Sequence, residues 1–265
     1  MFHLLRSELF RLRKRPQAWL LLLIAFILTA TLYAGFAIGS RVADPQDRAE
    51  LVDVLVFPSL DDFGLAIGLG FFGSVMIVIV AAGMMGNEYG WNTLRPLAAR
   101  ARSRSGLLTA KMVTALLYTC LFMAALAVLI GGLSLLGSAI AGVDAQVSGD
   151  AVADAARFTG KVVLVNLPYV ALAFMLATLA RSNVAGIAGT LGVSFIEQPI
   201  FQLLKLASNI FDDVERYGIS YNTNALLFPE GGDPVTGPII VLLVYTALFT
   251  AISYAIFLRR DVTSG

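Results

Sequence analysis

Few residues in this 265-residue chain have the type and spacing to do chemistry. Phosphate binding in a glycine-rich turn needs the pattern GxxxxGK[ST], whose backbone N–H groups cradle the phosphates. The nearest match, Gly160-Lys161, is followed by Val162 and has Ala155 where the first glycine should stand. The patterns HExxH and GxSxG are absent, which argues against a membrane-embedded hydrolase. His3 and Cys120 are the single His and the single Cys, so neither a Cys/His metal cluster nor an intramolecular disulfide can form. Two groups remain. One is Glu197-Gln198-Pro199, a carboxylate, a carboxamide and a helix breaker inside an apolar run. The other is the stretch from Gly86 to Lys111, where Glu88 precedes five cations (Arg95, Arg100, Arg102, Arg104 and Lys111) interleaved with Tyr89, Trp91, Thr93 and Leu94.

The elements that must position these residues follow from composition. The chain is 58% hydrophobic and 14% charged, with mean hydropathy +0.80. Ordinary globular domains have roughly 45–50% apolar and about 25% charged residues. Apolar runs of the ~20 residues needed to cross a bilayer recur along the whole length. They predict an all-α polytopic membrane protein, one transmembrane domain over 1–265, with spans at about 18–39, 63–86, 108–137, 162–180, 184–206 and 238–258. Arg181, Ser182 and Asn183 alone separate the fourth and fifth spans, which predicts a tight antiparallel hairpin rather than one 45-residue helix.

Basic residues near span ends are retained on the cytoplasmic side. Thirteen of the nineteen fall on one side of the predicted spans: Arg6, Arg11, Arg13, Lys14 and Arg15 before the first span, the five of the second loop, Arg181, and Arg259 and Arg260 in the tail. The other loops carry Arg41, Arg48, Arg157, Lys161, Lys205 and Arg216 among many acidic residues. Both termini and the second loop are therefore expected inside. A cleaved signal peptide is the weaker reading of the N-terminus, because the apolar run is too long for a signal core and its removal spoils the alternation.

In residues 1–16, Phe2, Leu5, Leu9 and Leu12 share one side of a helix, with Arg6, Arg11, Arg13 and Lys14 mostly on the other. This predicts an interfacial helix stopped by Pro16, with Trp19 opening the first span at headgroup depth. The second loop, 87–107, needs few residues to join two spans. Its mixture of cations, Trp and Leu suits either contact with a partner or plain topological charge.

Here the sequence resembles the membrane subunits of ABC-2 type transporters, especially the small bacterial six-span permeases. Glu88, Thr93, Leu94, Arg95, Ser103, Arg104 and Lys111 match that family's run of a Glu ending the second span, a Gly-Thr-Leu-Arg type turn, a Ser-Arg and a Lys opening the third span. Asn92 departs from the usual Gly, yet Asn also tolerates left-handed backbone angles. The resemblance implies a type V exporter-like permease of the bacterial cytoplasmic membrane, whose 87–107 loop holds a coupling helix for a separate ATPase. Glu88, Trp91, Thr93, Leu94, Arg95, Arg100 and Arg104 would lie at or near that contact. It implies two ATPase copies, with ATP and Mg bound there and no cofactor in this chain, and a second permease as homodimer or heterodimer. Membrane lipid is the remaining expected partner, and nucleic acid is not expected.

Glu197 lies about 20 Å along the fifth span, inside the hydrocarbon, where an ionisable group marks a cavity or a partner helix. Alternatively Pro199 ends the span, and the following residues form an external or re-entrant helix. Gly186 and Gly189, with Ala185 and Gly192, form a small-residue stripe that lets another helix approach. Glu197, Gln198, Pro199, Gly186 and Gly189 are thus candidates for a substrate path or a dimer contact, although packing within one subunit explains such a stripe as well. The apolar spans fit an amphipathic or lipid-like cargo. An ion-gradient-driven transporter or channel, and a scaffold without flux, are the competing classes; the first needs more intramembrane charge than Glu197 supplies.

Overall fold

The computed structural model describes residues 2–55, 72–100, 103–142, 147–208, 210–229 and 234–259, apart from the side chains of residues 2, 45, 46, 50, 53, 54, 95, 98, 100 and 212. Every regular element among them is a helix: α1 Phe2–Lys14, α2 Pro16–Val42, α3 Pro45–Leu55, α4 Ser74–Gly90, α5 Leu94–Arg100, α6 Arg104–Ala141, α7 Gly149–Ala180, α8 Asn183–Ala207, α9 Ile210–Glu215, α10 Ile219–Leu227 and α11 Thr236–Arg259. Five of them, α2, α6, α7, α8 and α11, are long and apolar enough to cross a membrane. They cover five of the six predicted spans. For the remaining one, residues 63–71 lie outside the described residues, and its continuation α4 is a shorter apolar helix of 17 residues.

Two helices outrun their predicted spans. α6 has 38 residues, about 57 Å at ~1.5 Å per residue, and α7 begins at Gly149 rather than near 162. Hydropathy marks only the part of a helix that suits hydrocarbon. The first turns of α7, with Asp150, Asp154, Arg157 and Lys161, are polar yet helical, and an Arg157–Asp154 pair at 2.6 Å spans one turn. α8 also passes through Pro199 without breaking and ends at Ala207, so the fifth span does not stop at the proline.

The chain groups into two compact units. The unit formed by 16–76 and 120–163 holds α2, α3, the start of α4, the second half of α6 and the first half of α7. In it, Ala18, Leu21, Ala25, Thr29, Tyr33, Ala37 and Ser40 form the buried stripe of α2 at three- and four-residue spacing. The carbonyl of Leu55, last in α3, accepts from Ser134 Oγ at 2.7 Å and Ser138 Oγ at 3.1 Å, which satisfies an otherwise orphaned helix-terminal acceptor. The unit formed by 1–15, 77–119 and 164–265 contains both groups of residues singled out for chemistry. Part of its core is Val165, Ile219, Leu226 and Leu242, with Tyr169, Tyr245 and Phe249 packed against them.

Candidate functional site: a buried ion network behind the second loop

Glu88 sits in the last turn and a half of α4, where the chain must leave the helix and turn. Asn92 adopts φ 53°. Thr93 N donates to Glu88 O at 3.1 Å and Asn92 N donates to Tyr89 O at 3.2 Å. That pair of bonds around a left-handed residue is the Schellman closure, so Asn performs the backbone task for which glycine is the usual residue. α5 follows at once, and Pro96 lies in its first turn, where a missing N–H costs nothing. Ser103 Oγ then accepts from Gly106 N at 3.1 Å and caps α6. The expected coupling loop is therefore a capped turn, a seven-residue helix and a capped restart.

The Glu88 side chain does not face outward. It is 1% exposed, and Lys111 of α6, also 1% exposed, places Nζ 2.5 Å from its Oε1. Lys111 Nζ also donates to Glu8 Oε2 of α1 at 3.1 Å, and Glu8 is 7% exposed. Arg15 reaches Glu88 Oε1 at 3.3 Å, while Arg11 pairs with Glu8 at 3.1 Å and approaches Glu88 at 3.8 Å. Three helices, α1, α4 and α6, are thus joined through two carboxylates and three cations. Such a cluster survives burial because each ion is compensated; removing one member leaves another uncompensated at a cost of about 3–5 kcal/mol. Glu88 Oε2 is buried with no hydrogen-bond partner among the described residues.

The hairpin between α7 and α8 packs on the same turn. Arg181 takes φ 52°, Ser182 N donates to Ala177 O at 3.3 Å, and Ser182 Oγ accepts from Ala185 N at 3.4 Å. This is the predicted tight connection. A Cβ on Gly86 would stand 2.4 Å from the Asn183 backbone, so glycine is what allows the hairpin to abut α4. The Arg181 guanidinium lies 6.0 Å from the Tyr89 ring centroid, and that of Arg15 lies 5.7 Å from the Trp91 centroid.

The residues of the second loop thus divide. Glu88 and Leu94, the latter 2% exposed, are anchors beneath the surface. Trp91, 62% exposed, and Thr93 face outward, and Arg104 is half-buried at the start of α6. Arg95 and Arg100 lie on α5, with side chains outside the described residues. Glu8 escaped the sequence reading. It is the one carboxylate in a strongly basic segment and shares a helix face with Leu4, Leu5 and Leu12, a signal that an acid is wanted inside.

The residues around Pro199 form a separate constellation. Glu197 Oε1 accepts from Ile219 N at 2.6 Å, and its Oε2 accepts from Ser220 N at 3.1 Å and Ser220 Oγ at 2.7 Å. The carboxylate caps α10, whose own N-cap, Gly218, has no side chain to offer. Gln198 is exposed and lines a cavity of about 640 Å³ with Tyr217, Tyr221, Asn224 and Phe228, and Pro199 is exposed on α8. Lys205 and Glu215 form an ion pair between α8 and α9. Gly186 is buried against Ala82, Ala173 and Ala177, and Gly189 lies beside Leu176, so this part of the stripe serves packing within the chain. Among the described residues no three His, Cys, Asp or Glu converge as metal ligands would.

A family model described as ABC-2 family transporter protein matches residues 4–197, which takes in α1 from Leu4 onward, the second loop and the ion network. "Uncharacterized protein YhcI" of Bacillus subtilis (strain 168) is similar at 25% identity over 214 residues, 71% of this chain and 64% of that protein's length. The matched region thus carries the residues that clamp the second loop, and this chain belongs to the ABC-2 family of transporter proteins.

Proposed function

We propose that this chain is the permease subunit of an ATP-driven exporter, with a separate ATPase docking on residues 87–107 from the cytoplasmic side. One observation carries the reading: the turn after α4 is held from beneath by Glu88, Lys111, Glu8 and Arg15, while Trp91 and Thr93 stay exposed above it. A surface held this way passes a push on the loop into α1, α4 and α6 instead of dissipating it in loop motion. Two ATPases, binding ATP and Mg, close and move the segment from Glu88 to Arg104. Two permease copies enclose the path and alternate its access. The apolar spans suit an amphipathic or lipid-like cargo.

The ion-gradient reading draws no support from Glu197, whose two carboxylate oxygens are engaged at the start of α10. Gentle extraction followed by mass spectrometry tests the proposal. A Walker A protein is expected to co-purify, and Trp91→Ala is expected to lower its recovery, since a buried interface indole is typically worth about 2 kcal/mol or more. Absence of any ATPase from the extracted complex defeats the reading.

A further inference from the structure

α1 has two faces of opposite purpose. The inner one, centred on Glu8 with Arg11 and continued by Arg15 just past the helix, whose N–H donates to Arg11 O at 3.0 Å, holds the ion network. The outer one carries Arg6, Phe10, Arg13 and Lys14, which fall within about a quarter of the helix circumference at ~100° per residue. All four are exposed, Phe10 to 61%, and Lys14 Nζ lies 5.8 Å from the Phe10 centroid. The one acidic residue of α1, Glu8, lies on the other face of the helix. One residue, Arg15, separates α1 from α2, a helix long and apolar enough to cross a membrane. A helix tethered that closely to a span, showing cations around one large apolar ring, has the charge and shape that adsorb to an anionic lipid surface.

We infer that the outer face of α1 binds anionic phospholipid headgroups, and that this binding adjusts the second loop through the ion network on the inner face. The functional meaning of the adjustment rests on the coupling role proposed for 87–107; the lipid dependence does not. Each Lys or Arg near an anionic surface favours adsorption roughly fivefold, so three act together strongly. Seating α1 on the headgroups moves Glu8, Arg11 and Arg15 as one rigid piece. Arg15 then carries the displacement to both Glu88 and the ring of Trp91.

The chain has two tryptophans, so Trp19→Phe leaves Trp91 as a single optical reporter of that displacement. The full-length variant is placed in nanodiscs of phosphatidylcholine, with or without phosphatidylglycerol, and Trp91 is quenched with neutral acrylamide. A shift in the quenching constant with phosphatidylglycerol is expected. It should vanish in ~1 M salt, where the Debye length is about 3 Å. It should also be lost when Arg6→Gln, Arg13→Gln and Lys14→Gln are combined, and in Glu8→Gln, which keeps the outer face but weakens the inner link. A shift that survives the triple variant or high salt overturns the inference. Indifference of Trp91 to phosphatidylglycerol also overturns it, and gives the stripe to a protein partner instead. Because the permease is measured alone, neither result depends on whether an ATPase co-purifies.

Discussion

Lys111, Glu8 and Glu88 have exchanged water for one another, and their worth lies in their mutual dependence. Lys111→Met keeps the volume of the side chain but leaves two carboxylates buried with only the partly buried Arg11 and Arg15 nearby. We expect it to cost about 3–5 kcal/mol, read as a lowered thermal midpoint of the purified chain in detergent. Adding Glu88→Gln to Lys111→Met removes a buried charge of the opposite sign and should recover much of that loss. A double variant less stable than the single one would show that the two residues contribute independently. The network was only half legible in the sequence. Glu88 and Lys111 could be singled out from the second loop, but the hydrogen bond from Lys111 to Glu8 spans 103 residues. No periodicity reports a contact of that reach. Glu197 is a similar case: its position in an apolar run was plain, whereas its task depends on Gly218 leaving α10 without a cap of its own.

At the level of elements, what sets the second loop in place is the fit of the α7–α8 hairpin against α4. Gly86 lets the two backbones meet, because even one methyl there would fall 2.4 Å from Asn183, well inside van der Waals contact with main chain that cannot rotate away. Gly90, four residues on, has open space around its Cβ position. Gly86→Ala should therefore destabilise the chain by roughly 1–3 kcal/mol, as overpacking does, while Gly90→Ala should be neutral or stabilising by up to about 1 kcal/mol. Thermal midpoints of the two variants, compared side by side, check the contrast; equal effects would mean that the hairpin does not bear on α4. Hydropathy located the ends of α4 and α7 and the start of α8, which meet at this contact, to within a few residues. It missed the polar first turns of α7, since helix formation continues wherever backbone bonds can be made, whatever the solvent outside.

For the whole molecule, sidedness decides whether the clamped loop can meet an ATPase at all. The grouping of thirteen basic residues on one side of the predicted spans predicts 87–107 inside, and the same rule predicts α9 and α10, between α8 and α11, outside. Positive charge near span ends resists translocation, whereas acidic residues contribute little, so the argument rests on Arg and Lys alone. Cys120 is exposed on α6 and must be removed first, with Cys120→Ser, to give a silent background. In that background Asp213→Cys, at an exposed position of α9, should react with a membrane-impermeant maleimide in intact cells. Ser103→Cys, exposed just ahead of α6, should react only after the membrane is opened. Inverted labelling would place the second loop on the far side from cellular ATP. The ion network would then be a structural clamp with no motor to move it, and the exporter reading would fall with the topology.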